Sequence, residues 1–567
     1  MDTDVIVVGA GPTGLMLAGE LRLGGARVVV LERLARPTGQ SRGLGFTARA
    51  MEVFDQRGLL PRFGRGPTLE TSPVGHFGGV RFDYSVLEGA HFGARDIPQS
   101  QTEAVLERWA TELGADIRRG WEFQGLDLGP GLDPDVGPGL IPGLVPGAGP
   151  GLIPGLAPGA SPGTDAGRRG EAGKSAGKEA RRDAGKEAGK DAGVTVTART
   201  PDGVRRLRAV YLVGCDGGHS AVRRAAGIDF PGTPATREMF LADVAGCALR
   251  PRPLGERLPH GMVMAAPLGD GVDRIIVCPH GTPPRDRAGR ITFAEVADAW
   301  QRITGEDIHG GTAVWVSSFT DATRQAAAYR RGPVLLAGDA AHIHLPAGGQ
   351  GLSTGVQDAV NLGWKLAATV RGTAADGLLD TYHAERHPVG ARLLSHTRAQ
   401  GTVFLGGAEA DPLRDLLTGL LAHDDVKRHL AGQVSGLDIR YDLATGDHPL
   451  LGRRLAPRRL VGETGESDTT SLLHPGRGVL LDLADDPALR AAAAGWQDRV
   501  SVVTAVPKPV DGADELAGTA ALLVRPDGHV AWTAPGTRVP AGPAGALRRW
   551  FGPPAPGHHS DLPAKET

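Results

Sequence analysis

A carboxylate at the end of a strand, followed by glycines and then by a helix, is suited to hold a large anionic ligand. Residues 334–359, VLLAGDAAHIHLPAGGQGLSTGVQDA, have that order. Asp339 can accept hydrogen bonds from sugar hydroxyls, while Gly348, Gly349 and Gly351 let backbone N–H groups come close to a ligand. The helix predicted to begin near Ser353 aims its positive end at whatever lies before it. Gly338-Asp339 alone would equally suit an ordinary turn, so the assignment needs a second element.

That element stands at the start of the chain. The run Asp4–Val8 is continued by GAGPTG, in which Gly9, Gly11 and Gly14 flank Pro12 and Thr13; a helical segment to Leu23 and a strand Val28–Leu31 ending in Glu32 follow. This is G-x-G-x-x-G inside a strand–helix–strand unit. The glycines permit a tight turn and the close approach of a pyrophosphate, and the acid at the second strand's end suits a ribose hydroxyl. A third strand, Tyr211–Gly214, ends in Asp216-Gly217, with Ser220 and a helix carrying Arg223 and Arg224 after it. It is a second place where dinucleotide groups can be met. Arg42, in the loop GQSRG, is placed to answer pyrophosphate charge.

The remaining elements must position these residues. A helix is predicted over Thr47–Gln56 and another over Gln101–Leu113, where Val105, Leu106, Trp109, Ala110 and Leu113 make a stripe that should face a sheet. Trp109 is therefore read as core. Trp121–Leu128 and Val194–Ala198 read as strand mates. Between them residues 130–160 repeat Pro-Gly-Leu and residues 166–193 repeat Ala-Gly-Lys/Glu units, with no apolar period that could bury a face. A disordered insertion at a hairpin tip is expected. Residues 235–320 hold Met239, Phe240, Met262, Met264, Ile275, Val277, Trp315 and Phe319 in short alternating runs, which predicts a sheet able to roof an apolar pocket. Beyond about residue 400 the order is strand, helix, strand, hairpin, with no cysteine to support thiol–disulfide chemistry.

Composition sets the limits. With 567 residues and 41% apolar content, two or three domains with real cores are expected. A net charge of −2 supplies no basic excess for nucleic acid. Cys215, Cys247 and Cys278 are odd in number and widely spaced, so no disulfide framework and no metal site are expected. Acidic Asp2 and Asp4 stand where a signal peptide would be positive, and no apolar run is long enough for a bilayer; a soluble, cytoplasmic protein is expected.

Three segments, VVGAGPTG with Glu32-Arg33, YLVGCDGGHSAVRR, and RRGPVLLAGDAAHIHLPAGGQGLSTGVQDAVNLGWKLA, together resemble the fingerprints of one family. It is the class A FAD-dependent aromatic hydroxylases, of p-hydroxybenzoate hydroxylase-like fold, in the branch that acts on aromatic polyketides in actinobacteria. The likeness covers nearly the whole chain apart from the insertion. It implies an α/β fold with a discontinuous Rossmann-like FAD-binding domain of the GR2 type (1–75, 100–129, 194–234 and 321–398). A β-sheet substrate domain (76–99 and 235–320), the insertion (130–193), a thioredoxin-like C-terminal domain (399–550) and a flexible tail (551–567) complete the chain.

By that resemblance Gly9, Gly11 and Gly14, with Pro12 and Thr13 between them, hold the FAD pyrophosphate, and Glu32 holds the adenosine ribose. Arg33 and Arg42 flank the adenine and phosphate end, Gln101 lies near the ribityl chain, and Gly338-Asp339 binds ribityl hydroxyls. Gly349, Gln350, Gly351 and Leu352 border the isoalloxazine, and Asp216 serves both FAD and NAD(P)H. Pro346 and His344 are the candidate catalytic residues. Many relatives carry Asn where Ser353 stands, and Ser353 keeps the capacity to cap the helix.

The chemistry implied is reduction of FAD by NADPH or NADH, addition of O2 at flavin C(4a), and oxygen transfer from the hydroperoxide to an electron-rich ring of a polycyclic aromatic substrate. Neither nucleic acid nor membrane is a partner in this reading, and the protein is a monomer or homodimer. Hydroxylation, epoxidation and Baeyer–Villiger insertion in antibiotic biosynthesis fit these motifs. So does inactivation of a rifamycin-type antibiotic, and so does a flavin-binding reductase without oxygenase activity.

Overall fold

The computed structural model describes residues 1–64, 73–87, 93–128, 193–285, 291–443, 446–463, 465–510, 514–536 and 542–556. Val5–Val8 is a fully buried run, mostly β-branched, which is what the centre of a parallel sheet requires. It lies in a six-stranded sheet ordered Arg330–Arg331, Val334–Leu336, Tyr211–Gly214, Val5–Val8, Val28–Glu32, Asp116–Arg119. Every pairing in it is parallel except that of the Arg330–Arg331 edge. From Val5–Val8 the chain goes first to one side and later returns on the other, so a crevice opens at the carboxyl ends of the two central strands. The turns carrying Gly9, Glu32, Asp216 and Asp339 all follow the carboxyl ends of strands of this sheet.

Two helices converge on that edge. A Cβ on Gly355 would stand 2.3 Å from Thr13 Oγ1, one on Gly363 2.3 Å from Glu20 Cβ, and one on Gly24 2.3 Å from Ala367 Cβ. Contacts that advance together along Pro12–Leu23 and Gln350–Val370 mean that the helices run parallel, with their N-termini side by side. Glycine at the seam allows this approach. On its other side Pro12–Leu23 takes Trp109, whose ring would lie 2.0 Å from a Cβ on Gly19. Trp109 is core, as its periodicity predicts.

The segment 238–320 forms a five-stranded antiparallel sheet, ordered Arg252–Leu258, Gly261–Gly269, Val272–Pro279, Glu238–Ala245, Thr312–Thr320. Both of its faces are covered. Phe240, Ile275 and Val277 lie under the helix Phe293–Thr304, an element the alternating pattern did not predict. Its signal was a capping box, Thr292 with Glu295, ahead of Val296 and Trp300. Met239, Met262, Cys278, Met264 and Phe319 face the other way, onto Leu345, Ala347 and Phe404.

The C-terminal sheet is ordered Gly465–Asp468, Arg459–Gly462, Val500–Pro507, Gly478–Asp482, Thr519–Val524, Val530–Pro535, and only its two central strands are parallel. Two boundaries need correction. The division at 398/399 falls inside the continuous helix Thr381–Leu405. The tail cannot start at 551, because Phe551 is buried and the Gly552 carbonyl accepts the Trp496 indole N–H at 2.8 Å. Helix Asp424–Ser435 also packs on Phe77, Phe82 and Tyr84 rather than on the C-terminal sheet.

The predicted insertion, 130–193, lies outside the described residues but for Gly193. Its flanks are paired directly, Leu128 with Val194, in an antiparallel ladder. Deleting residues 131–192 is therefore expected to leave the thermal midpoint within about 2 °C of the parent. A large fall on calorimetry would make the segment structural. Among the described residues no helix is long and apolar enough to cross a membrane, and no group of three or more His, Cys, Asp or Glu side chains could hold a metal ion.

Candidate active site

Gly9 is left-handed, and a Cβ there would lie 2.4 Å from the Cys215 carbonyl oxygen, so the first turn presses on the Asp216 turn. Gly14 is as tight, with a Cβ 2.0 Å from the Gly9 carbonyl oxygen. Gly11, by contrast, has open space where its Cβ would be. It is the N-cap of Pro12–Leu23, no side chain caps the helix, and Pro12 at the first position spends no N–H. A Cβ on Gly338 would meet Thr13 Oγ1 at 2.6 Å, which brings the first and last motifs into contact. Glu32 braces the first turn: its carboxylate accepts the Ala10 N–H and the Leu34 N–H, each at 2.9 Å. Lone pairs remain for a ligand hydroxyl. Arg33 is exposed at this strand end.

Asp216 is committed differently. Its carboxylate accepts the Ser220 hydroxyl and the backbone N–H groups of Ala221 and Val222, so it caps the short helix Ala221–Ala225. Arg223 then donates to the Gly218 carbonyl at 2.9 Å and the Ala340 carbonyl at 2.8 Å, tying the Asp216 turn to the Asp339 turn.

Asp339 is exposed. Protein nevertheless crowds it, and burial raises its carboxyl above the usual range, opposed by His342 and Arg42. Among the described residues no donor is hydrogen-bonded to the Asp339 carboxylate, which stays open to the hydroxyls of a ligand. Behind it Asp358 is fully buried and accepts the Gly338 N–H at 3.1 Å, His342 Nε2–H at 2.8 Å and Arg386 Nε–H at 2.7 Å. Burial would raise Asp358, but Arg386 and His342 outweigh it and hold the carboxyl below its ordinary value.

After Pro346, Gly348 and Gly349 are both left-handed, and the long helix starts at Gln350, three residues earlier than predicted, with Gly349 as its N-cap. Ser353 does not cap it. Its hydroxyl accepts the Thr47 N–H at 2.9 Å, which joins this helix to the start of Ala48–Asp55. With no side-chain cap, the first-turn N–H groups around Gly351 are left for a ligand. Pro346 and Gly349 are exposed beside them. The Gln350 amide folds back on the Ala347 carbonyl at 3.3 Å, and Leu352 presses on Gly43 of the Arg42 loop, 2.4 Å from where a Cβ would be.

The loop carrying Arg42 is fixed from two sides. Arg274, paired with Asp243 at 2.7 Å on the inner face of the five-stranded sheet, donates to the Ser41 carbonyl, and Ser41 Oγ meets Ser100 Oγ at 3.0 Å. Gln101, expected near the ribityl chain, donates its amide to the Phe63 carbonyl at 2.8 Å. Gln99 meets the Arg42 loop, accepting the Gly43 N–H at 3.4 Å, and the motif reading passed over it.

His342 is buried against Asp358 and cannot serve the cleft. His344 donates from Nδ1 to the Leu345 carbonyl at 2.7 Å, which leaves a lone pair on Nε2, 3.5 Å from where a Gly351 Cβ would be. Burial pushes its pKa down to about 4. His344 is thus a neutral acceptor, not an acid, and turnover between about pH 5 and 9 is expected to show no inflection from it. A limb of the pH–rate profile lost in His344→Asn would contradict this.

The model of an FAD binding domain matches residues 2–129 and 170–397, and that of an aromatic-ring hydroxylase C-terminal domain matches residues 448–554. The chain belongs to the FAD-dependent aromatic-ring hydroxylases. A 12-dehydrotetracycline 5-monooxygenase/anhydrotetracycline 6-monooxygenase of Streptomyces rimosus is 41% identical, covering 98% of this chain and 100% of that protein. A rifampicin monooxygenase of Streptomyces venezuelae is 40% identical over 97% of this chain and 98% of its own length. The solved structure of an aromatic hydroxylase from angucycline biosynthesis is 55% identical with a TM-score of 0.83, over 98% of this chain and all of that one. The hydroxylase described here is accordingly a flavin monooxygenase with a mixed α/β fold, and the cleft between its strand-end turns fits FAD. Gly11 leaves room for phosphate, two uncapped parallel helices point N–H groups the same way, and Asp339 waits for hydroxyl donors.

Proposed function

We propose that this flavin monooxygenase hydroxylates a polycyclic aromatic polyketide with NAD(P)H and O2, NADPH being the expected donor. The observation that carries the reading is the desolvated Asp339 carboxylate, set between two parallel uncapped helix starts. Bound FAD would take electrons from the nicotinamide and activate oxygen; the protein supplies position, dryness and charge. Gly9, Gly11, Pro12, Thr13 and Gly14 hold the pyrophosphate with Arg42 as its countercharge, Glu32 the ribose, Arg33 the adenine end, and Gly338-Asp339 the ribityl hydroxyls. Gln101 lies near the ribityl chain, and Gln99 supports the Arg42 loop. The free N–H groups from Gly349 to Leu352 stabilise negative charge on the reduced ring, and Pro346 borders it. Asp216, most of whose lone pairs its own helix takes, acts by shaping the turn.

Met264 and Phe319, only partly buried on this face of the sheet, suit a flat, fused-ring substrate, and methionine adapts to its outline. In this scheme the FAD-binding domain runs on to the end of helix Thr381–Leu405, the sheet domain keeps the boundaries above, residues 406–435 side with the strand pair Val74–Asp83, and the thioredoxin-like unit spans Arg459 to Phe551. A second reading, inactivation of a rifamycin-type antibiotic, draws on the 40% likeness to a rifampicin monooxygenase.

The test is NADPH consumption by the flavin-loaded protein with a panel of angucyclines, anhydrotetracyclines and a rifamycin. Stimulation by one class, with a product heavier by one oxygen atom, identifies the substrate; consumption stimulated by none would refute these three substrate classes. Asp339→Ala is expected to weaken FAD binding by about 1.5–3 kcal/mol, the cost of a lost hydrogen bond to a charged acceptor. Fluorescence titration of the apoprotein measures it.

A further inference from the structure

Helix Thr381–Leu405 is braced between the turn that carries Asp339 and the C-terminal sheet. On the first side the Tyr382 hydroxyl donates to the Leu336 carbonyl at 2.7 Å, in the strand that leads into Gly338. One turn later Arg386 Nε–H donates to Asp358 at 2.7 Å, and the other oxygen of Asp358 accepts the Gly338 N–H at 3.1 Å. On the second side Arg386 Nη1–H donates to the Tyr441 hydroxyl at 3.2 Å. The Tyr441 ring stacks on His529 of the C-terminal region at 4.3 Å and lies 5.3 Å from the Arg525 guanidinium. Glu385, the neighbour of Arg386, takes both terminal nitrogens of Arg525 at 2.7 Å. Arg386, Asp358, Tyr382 and Tyr441 are all buried, so none of these bonds competes with water.

We infer that Tyr441, Arg386 and Asp358 are positioning residues through which the C-terminal region sets the Gly338-Asp339 turn for the cofactor. The inference rests on the reading of Asp339 as a cofactor ligand. The C-terminal region, which contributes no glycine motif and no cysteine, then has a task in cofactor binding: it holds Arg386 in place, Arg386 orients Asp358, and Asp358 fixes the backbone N–H of Gly338. A turn held from behind keeps its carboxylate in the cleft at no cost when the ligand arrives.

The experiment is a double-mutant cycle on FAD affinity, read by fluorescence titration of the apoproteins: parent, Tyr441→Phe, Asp339→Ala and the double variant. Tyr441→Phe keeps the ring on His529 and Arg525 and removes only the acceptor of Arg386. It is expected to weaken FAD binding about five-fold in the parent background, and to have no further effect once Asp339 is alanine. Equal losses in both backgrounds, or none in the parent background, would overturn the inference while leaving Asp339 as a ligand. An Asp339→Ala protein with unchanged affinity would overturn the reading of Asp339 and the inference with it. Should Tyr441→Phe fail to fold, Arg386→Lys, which keeps the charge but loses the fork that reaches Tyr441 and Asp358 together, replaces it in the same cycle.

Discussion

Glu385→Ala is expected to destabilise the protein by about 3–5 kcal/mol, the cost of breaking a buried ion pair from one side. The Glu385 carboxylate accepts from both terminal nitrogens of Arg525 at 2.7 Å, from Lys365 at 2.8 Å and from Asn361 at 2.7 Å. All of these groups are buried. Without the carboxylate Arg525 keeps Asp527, but Lys365 keeps only the Asn361 amide oxygen. Burial already pulls Lys365 down to about 8, opposed by Glu385, so the variant should bury it neutral. The measurement is the urea midpoint, and a shift worth less than about 1 kcal/mol would mean that the network is not a joint between the two regions. Acid should act on the same joint. Burial would raise Glu385, yet Arg525 and Lys365 hold it at about 2 against an ordinary 4.5. A depressed carboxylate contributes stability that is complete above the ordinary value and is lost as pH falls toward the folded one. The parent should therefore weaken progressively below about pH 4.5, and Glu385→Ala should lose the Glu385 share of that limb while keeping the share of other depressed carboxylates such as Asp358.

Gly14→Ala is expected to remove FAD binding altogether, with loss exceeding about a hundred-fold. The added methyl would meet the Gly9 carbonyl oxygen at 2.0 Å and the Cys215 Cβ at 3.3 Å, and the nearest obstacle is backbone. Gly9 cannot yield, because its own left-handed turn lies against Cys215. The helix Pro12–Leu23 must move off the sheet, and its free N–H groups leave the pyrophosphate position with it. Gly11→Ala serves as the control for fold, since its Cβ would point into open space and touches nothing until a ligand is present. Both apoproteins are to be compared by circular dichroism before titration. A Gly14→Ala protein that binds FAD as the parent does would show that the turn is not the phosphate site.

Much of the site was legible because its parts are local. A strand, a glycine turn and a helix within a few residues carry their own geometry, and three such units shared one sheet edge once their strands paired. Trp109 was legible by helical spacing. The helix Phe293–Thr304 was equally readable from Thr292 and Glu295, but the methionine and phenylalanine alternation on either side drew attention to strands. Gln99 shows the limit of a motif match, which singled out Gln101 and passed over its neighbour. Two residues along a helix are about 200° apart, so they occupy opposite sides, and nothing in their identity says which side meets the Arg42 loop. Ser353 is similar: a serine near a helix start reads as a cap, whereas its partner is the Thr47 N–H, distant in the chain.

The amino-acid sequence by itself determined the FAD-binding family, the glycine turns at the strand ends and the core stripes, because steric allowance and hydrophobic period are properties of short segments. Tertiary structure alone decided which charges share a buried site. Asp358, Arg386, Glu385, Arg525 and Tyr441 read in sequence as ordinary polar residues of helices and strands. Their pairing arises only when two regions far apart in the chain pack together, and a buried charge acquires its role from the partner it meets. The same holds for Asp339. Sequence put an acid at a strand end, and the surrounding fold desolvated it and left it facing the cleft.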